Sequence, residues 1–386
     1  MRNSPDIEKW LKLIRADGVG PATFAKLLTR FGSVDRALCA SFSELTKIEG
    51  VGEHTARRII NSREKLNTDV EIEIALKNGV WLLHLNDDRY PALLRCIPDP
   101  PPVLYVKGTL ESNDNLAIAI VGSRRCSAYG REQASRLGHM LASVGFTIIS
   151  GMARGIDTAA HHGALSAGGR TIAVQGCGLA NVFPPENDKL ARIISESGAV
   201  VSELPMTYEP LSENFPPRNR IIAGLSLGTI VIEAAPRSGA LITASAALEY
   251  NRQVMAVPGK VDSPLSRGTN RLIKQGAQLV ESVEDIMEAL GYIGTQLKEH
   301  AVVAEKNASR RLDAKDVELV LTNEERRILN SIKDGPVHLD DIINSLRLSA
   351  SAANSAMVCL QLKGLIKNLP GNFIKKSAVF EGTIAD

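Results

Sequence analysis

The chain has 386 residues, which at roughly 100 to 200 residues per domain implies two or three domains with at least one full-sized core. Hydrophobic residues make up 44% and charged residues 23%, excluding a low-complexity or fibrous chain, and a net charge of +2 names no partner by itself. No apolar stretch approaches the roughly 20 residues of a spanning helix, and Arg2, Asp6, Glu8, Lys9 and Lys12 fill the place of a secretory apolar region, so a cytoplasmic chain without membrane contact is expected.

Residues 1–80 read as a small all-α domain. Ser4-Pro5 is a helix start, after which Ile7, Trp10, Leu11 and Ile14 share one helical face. Gly18-Val19-Gly20 precedes the apolar-periodic Phe24, Leu27 and Leu28, and 32 residues later Gly50-Val51-Gly52 precedes Ala56, Ile59 and Ile60. The repeat is a helix, a tight glycine turn and a second helix, and the turn leaves amides open to an anion. It resembles the helix-hairpin-helix motif, which grips nucleic-acid backbones without reading sequence. The same pattern also serves helix packing alone, and residues 1–115 carry 16 basic and 16 acidic residues.

Residues 81–292 form the central domain of this reading. Asp87–Pro102 is rich in proline and reads as an extended connector. Near residue 110 the pattern changes to Val- and Ile-rich runs at Ala117–Val121, Thr147–Ile149, Thr171–Val174, Val200–Val201, Thr229–Ile232 and Val254–Val257. Helical stretches separate them, as repeated βαβ units require, so an α/β fold with a doubly wound, mainly parallel, Rossmann-like sheet is expected. Residues 293–321 are polar with little periodicity and read as a linker. In 322–386, Thr322 caps a helix carrying Ile328, Leu329 and Ile332; Asp340–Leu346 and Ser349–Leu362 suggest two more, and Gly364–Phe373 a hairpin turning at Pro370-Gly371. That is the outline of a winged helix. Its third helix lacks Lys and Arg, which favours a protein contact over major-groove binding.

Chemistry in a doubly wound sheet gathers where strands end and helices begin. Leu116–Gly291 holds 13 Arg and only 3 Lys, and arginine's planar fork suits bidentate phosphate contacts. Gly122-Ser123-Arg124-Arg125 follows the first run, Gly151 to Asp157 the second, and Gly176-Cys177-Gly178 with Phe183-Pro184-Pro185 the third. Phe215-Pro216-Pro217-Arg218-Asn219-Arg220 joins an aromatic face to two arginines at a helix start, the combination single-stranded nucleic acid needs, although a helix cap with Phe215 in the core has the same sequence. Arg237-Ser238-Gly239 adds a further anion site on the same edge. The first loop lacks GxGxxG, no GxxxxGK[ST] string exists, and the five cysteines include no CxxC pair, so no dinucleotide, P-loop nucleotide or thiolate zinc is expected.

The succession Val121 to Arg124, Ser150 to Asp157, Phe215 to Gly224, Ser238 to Ala244, Ala256 to Gly259 and Arg267 to Asn270 resembles the DNA-processing protein A (DprA/Smf) family across most of residues 80–290. The resemblance implies a non-enzymatic single-stranded DNA-binding protein without cofactors. Such a protein protects incoming DNA in natural transformation and homologous recombination and loads RecA recombinase on it. It also implies a homodimer through the central domain, with the same face meeting the recombinase. On matching positions, Gly122, Ser123 and Arg124 would hold a phosphate, and Gly151 and Gly155 would let the strand approach. Phe215, Arg218, Asn219 and Arg220 would line its path, with Lys189 a further contact. Ser212, Glu213 and Asn214 stand where relatives are expected to carry a basic residue.

Two alternatives use the same edge. Glu233, after Thr229–Ile232, sits where an acid would serve a phosphoribohydrolase-like enzyme, although the proline and double-glycine turn of that group is absent. A sensor of a small nucleotide would use the same arginines. His161-His162 project about 100° apart on a helix, which reads as one core and one surface imidazole rather than a metal pair.

Overall fold

The computed structural model describes residues 2–291, 323–332, 337–346, 348, 360, 365–369 and 373–376. They fall into two compact units, Met1–Leu290 and Gly291–Asp386. The expected linker, the cap at Thr322, most of the helix at 349–362 and the turn at Pro370-Gly371 lie outside the described residues.

The first unit opens with six helices: α1 (Ile7–Ile14), α2 (Pro21–Phe31), α3 (Val34–Cys39), α4 (Phe42–Leu45), α5 (Glu53–Lys65) and α6 (Asp69–Lys77). The apolar stripe of α1 is buried at Ile7, Trp10, Leu11 and Leu13. Trp10 stacks on Phe24 of α2 at 5.3 Å between ring centroids. Both hairpins turn on a glycine with positive φ, 88° at Gly18 and 85° at Gly50, a conformation that disfavours any side chain. Gly20 and Gly52 then cap α2 and α5.

The sheet follows: β1 (Val80–His84), α7 (Ala92–Arg95), β2 (Val103–Gly108), β3 (Ala117–Val121), α8 (Ala128–Ser143), β4 (Thr147–Ser150), α9 (Ile156–Ser166), β5 (Thr171–Val174), α10 (Asp188–Ser197) and β6 (Ala199–Ser202). It continues with α11 (Phe215–Gly224), β7 (Gly228–Val231), α12 (Gly239–Glu249), β8 (Gln253–Ala256), α13 (Arg267–Lys274), β9 (Gln278–Leu279) and α14 (Val283–Leu290). The nine strands lie in the order β1-β2-β6-β5-β4-β3-β7-β8-β9. From β6 to β9 every pairing is parallel, whereas β1–β2 and β2–β6 are antiparallel.

The two antiparallel strands correct the expectation that the sheet begins beyond residue 110. They flank the proline-rich stretch, which is not wholly extended either, since α7 interrupts it. Val-Trp-Leu-Leu-His is buried throughout, so it lacks the alternation that marks a half-buried strand. Its outer edge is paired by residues near the amino terminus. Ser4 N–H donates to Leu82 O at 2.9 Å, Leu82 N–H to Asn3 Oδ1 at 2.9 Å, and His84 N–H to Ser4 Oγ at 3.1 Å.

One apolar cluster runs from α1 and α2 through Val80, Val103, Tyr105, Ala173 and Val200 to Ala191 and Ile194 of α10. A second, on the other face of the sheet, joins Leu104, Val106, Val174 and Val201 to Ile221 and Ile222 of α11. The helical module is thus built onto one face of the sheet.

The second unit contains α15 (Asn323–Ser331), β10 (Val337–His338), α16 (Leu339–Leu346), β11 (Ile366–Leu369) and β12 (Phe373–Lys376). Its strands pair antiparallel in the order β10-β12-β11, over a core of Ile328, Leu329, Ile332, Ile342, Leu360, Leu365, Ile366 and Ile374. The expected hairpin is present, extending to Lys376. Among the described residues no helix is long and apolar enough to cross a membrane.

Candidate nucleic-acid interface

Strand order reverses between β3 and β7: the chain proceeds from β3 towards β6 on one side and from β7 to β8 on the other. Loops leaving two such neighbours diverge and open a crevice at the carboxyl ends of the strands. A cleft of about 600 Å3 lies there, walled by Gly122–Arg125 after β3, Arg237–Gly239 after β7, and the first turns of α11 and α12.

Phe215 is the centre of its electrostatics. The ring is half-buried, packs against Phe183 at 5.5 Å between centroids, and has the Arg124 and Arg218 guanidinium carbons 5.0 and 5.7 Å from its centroid. Gly176 brings the backbone up to the ring, since a Cβ there would stand 2.8 Å from Phe215 Cδ1. The two arginines differ in kind. Arg124 and its neighbour Arg125 are exposed, as is Arg237 across the cleft. Arg218 is 5% exposed and fixed, its Nη1 donating to Gly151 O at 2.7 Å and also to Val174 O. Burial brings its pKa down to about 10, so it stays charged at neutral pH.

Beside Arg218 lies Asp157, 6% exposed, whose Oδ2 accepts from Gly151 N–H at 3.2 Å and Ala153 N–H at 3.3 Å. Burial outweighs Arg218 and those amides and raises the carboxyl to about 6. A Cβ on Gly151 would meet Arg218 Nη2 and Asp157 Oδ2, both at 2.8 Å, so only glycine fits between them. Asn219 donates to Gly239 O at 3.2 Å and accepts from Arg218 Nε at 3.3 Å, tying α11 to α12. Ser238 caps α12 by accepting from Ala240 N–H. Four guanidiniums therefore face one carboxyl, around an aromatic ring and at helix starts, which suits an anionic polymer with flat bases.

Residues 81–291 match the family described as DNA recombination-mediator protein A. The chain belongs to this family. Residues 6–62 match a DprA-like N-terminal HHH domain, and residues 313–372 a DprA winged helix domain. Protein Smf of Synechocystis sp. is 34% identical over 384 residues, covering 94% of this chain and 96% of the relative. Protein Smf of Escherichia coli is 38% identical over 295 residues, covering 76% and 77%. The X-ray structure of DNA processing protein A from Streptococcus pneumoniae covers 75% of this chain and 98% of its own, with a TM-score of 0.64 at 35% identity.

Of the residues singled out in the sequence, Gly122, Ser123, Arg124, Phe215, Arg218, Asn219, Arg237, Ser238 and Gly239 line the cleft together. Gly151 and Gly155 support it from behind: a Cβ on Gly155 would stand 2.5 Å from Ser123 O. Two others lie elsewhere. Lys189 is on the exposed side of α10 and does not line the cleft. Arg220 turns away from it, since positions two apart on a helix point about 200° apart. Its guanidinium meets Asp99 at 3.0 Å and Glu203 at 2.6 Å. Arg220 thus joins α11 to the connector before β2 and to the chain after β6. Burial pushes the Glu203 carboxyl up despite this partner.

Sequence reasoning missed Asp157 and Ile242 as lining residues, whereas Arg125, read beside Arg124 in the loop after the first apolar run, lines the cleft with it. Ile242 has a signal in the sequence, standing about one helical turn after Ser238, and the structure leaves it 45% exposed. Glu233 does not line the cleft. Its carboxylate accepts from Ser127 N–H at 2.8 Å and Ser127 Oγ–H at 2.5 Å, and its carbonyl accepts from Ser123 N–H at 2.8 Å. The residue clamps the β3 loop to the start of α8, so both oxygens an acid catalyst would use are engaged. His161 is buried against Thr171 Oγ1 at 2.6 Å and driven down to about 3 by burial, while His162 is exposed. Among the described residues no group of three His, Cys, Asp or Glu is placed to hold a metal ion.

Proposed function

We propose that the chain binds single-stranded DNA along this cleft. Bases stack on Phe215 under the Arg124 guanidinium, and phosphates meet Arg124, Arg125, Arg237 and the amides opened by the glycine turns. In this reading the protein protects incoming strands in natural transformation and homologous recombination and loads RecA recombinase on them, acting as a homodimer through its central domain. The observation that carries the strand site is the half-buried Phe215 ring between one free and one fixed guanidinium at the reversal point of the sheet. The names of the relatives, which concern DNA processing and recombination mediation, support the wider role.

The test is binding of a fluorescent single-stranded oligonucleotide and its duplex across a salt series, with the wild type and Arg124→Ala. The expected result is preference for the single strand, weaker binding by the variant, and a salt slope shallower by about 0.7 for one lost phosphate contact. Equal or negligible binding to both forms, or displacement of the oligonucleotide by a mononucleotide at equivalent concentration, would refute the strand site. Delivery of recombinase onto a strand coated with single-strand-binding protein, read by strand exchange, tests the loading role.

A further inference from the structure

A second cavity lies on the opposite face of the sheet from α11. It encloses about 320 Å3 beneath α10, and its polar walls are Asn78 at the end of α6, Lys107 of β2, Gln175 after β5, Asn181, and Asp188 and Arg192 of α10. Lys107 shares its face of β2 with Val103 and Tyr105, whose cluster includes Ala191 of α10. The strand cleft draws no lining residue from this set.

The charges in the cavity do not cancel. Arg192 is paired with Asp188 at 2.7 Å, whereas Lys107 forms no ion pair among the described residues. Gln175 is 2% exposed, and while its Oε1 accepts a weak contact from Cys177 Sγ at 3.5 Å, its Nε2 is buried without a hydrogen-bond partner. A buried amide left in this state is unfavourable, and native structures rarely keep one unless something else completes it. Lys107, without an ion pair among the described residues, and Gln175, with an unpartnered amide, both line the cavity, a combination that calls for an anion with several acceptor oxygens. Lysine serves phosphate as a point charge, and the volume is at the small end of ligand cavities, about 300–1,000 Å3, too small and too enclosed for a nucleic-acid strand.

We propose that this cavity is a binding site for a small phosphate-bearing ligand, with Lys107 as counter-charge and Gln175 as the buried donor. It takes inorganic phosphate or a short phosphomonoester and is independent of the strand cleft. The test is calorimetric titration of the full chain in phosphate-free buffer at fixed ionic strength. The probes are inorganic phosphate and glycerol phosphate, and the proteins are the wild type, Arg124→Ala, Lys107→Gln and Gln175→Leu. Binding is expected to persist in Arg124→Ala and to fall at least about tenfold in each of the other two variants, as loss of a charge-assisted contact implies. The glycerol ester binding as well as the free ion identifies a phosphomonoester site, and the free ion alone a phosphate site. Lys107 is only half-buried, so Lys107→Gln keeps the test decisive if Gln175→Leu fails to fold. Absence of binding to the wild type, unchanged binding by Lys107→Gln, or loss in Arg124→Ala would overturn the proposal.

Discussion

Asp157 makes the stability of the first unit depend on pH in a direction opposite to that of an ordinary ion-paired carboxylate. Burial raises its pKa from 3.8 to about 6. At about 1.36 kcal/mol per pH unit, roughly two units correspond to about 3 kcal/mol. The folded state holds the proton more tightly than the unfolded chain. The stability that comes with the neutral acid is therefore complete below pH ~4, falls as pH rises towards ~6, and stays lost above that. Asp157→Asn cannot ionise and removes this term. The difference in unfolding free energy between wild type and variant should move by about 3 kcal/mol against the wild type between pH 4 and 7, then level off. Urea titrations followed by tryptophan fluorescence measure it cleanly, because the chain's two tryptophans, Trp10 and Trp81, are both buried in the first unit. Parallel profiles for the two proteins across this range would show that the carboxyl does not titrate where its surroundings place it.

Three substitutions separate binding residues from structural ones. Arg220→Ala strands Glu203 and Asp99 and should cost about 3–5 kcal/mol in denaturant unfolding, while leaving the salt slope of oligonucleotide binding unchanged. A lost phosphate contact at Arg220 would instead make that slope shallower. Phe215→Ala should weaken single-strand binding by about 1–3 kcal/mol, with Phe215→Trp retaining most of it; fluorescence anisotropy decides, and equal binding by the alanine variant would deny the ring a stacking role. Gly130→Ala places a methyl group 2.4 Å from Glu233 Oε2 and should push the carboxylate off Ser127, lowering stability by about 1–3 kcal/mol in thermal unfolding. An unchanged melting temperature would mean that the clamp yields freely.

Much of the architecture is legible in the order of residues. β3 to β8 are short apolar runs between amphipathic helices, and local chemistry marks each one. The paired hairpins show themselves by repetition, because a positive φ at Gly18 and Gly50 is a local demand. β1 and β2 escape notice because they become strands only by pairing with β6 and with residues 3 and 4. Nothing within Val-Trp-Leu-Leu-His alternates, since both of its faces are covered.

The site divides along the same line. Glycine turns, arginines and an aromatic residue at strand ends follow from sequence, because βα loops carry them wherever such a sheet forms. The role of each arginine does not. Arg218 and Arg220 stand two positions apart in one helix with the same side chain, yet one faces the cleft and the other a carboxylate pair behind it. Glu233 reads locally as a free acid and becomes a clamp only because Ser127, 106 residues earlier, is brought against it. By itself the sequence determined which chemical groups gather at the reversal point of the sheet. Only the tertiary structure decided which of them remain free for a ligand, because that depends on partners far away in the chain that neutralise or bury the rest.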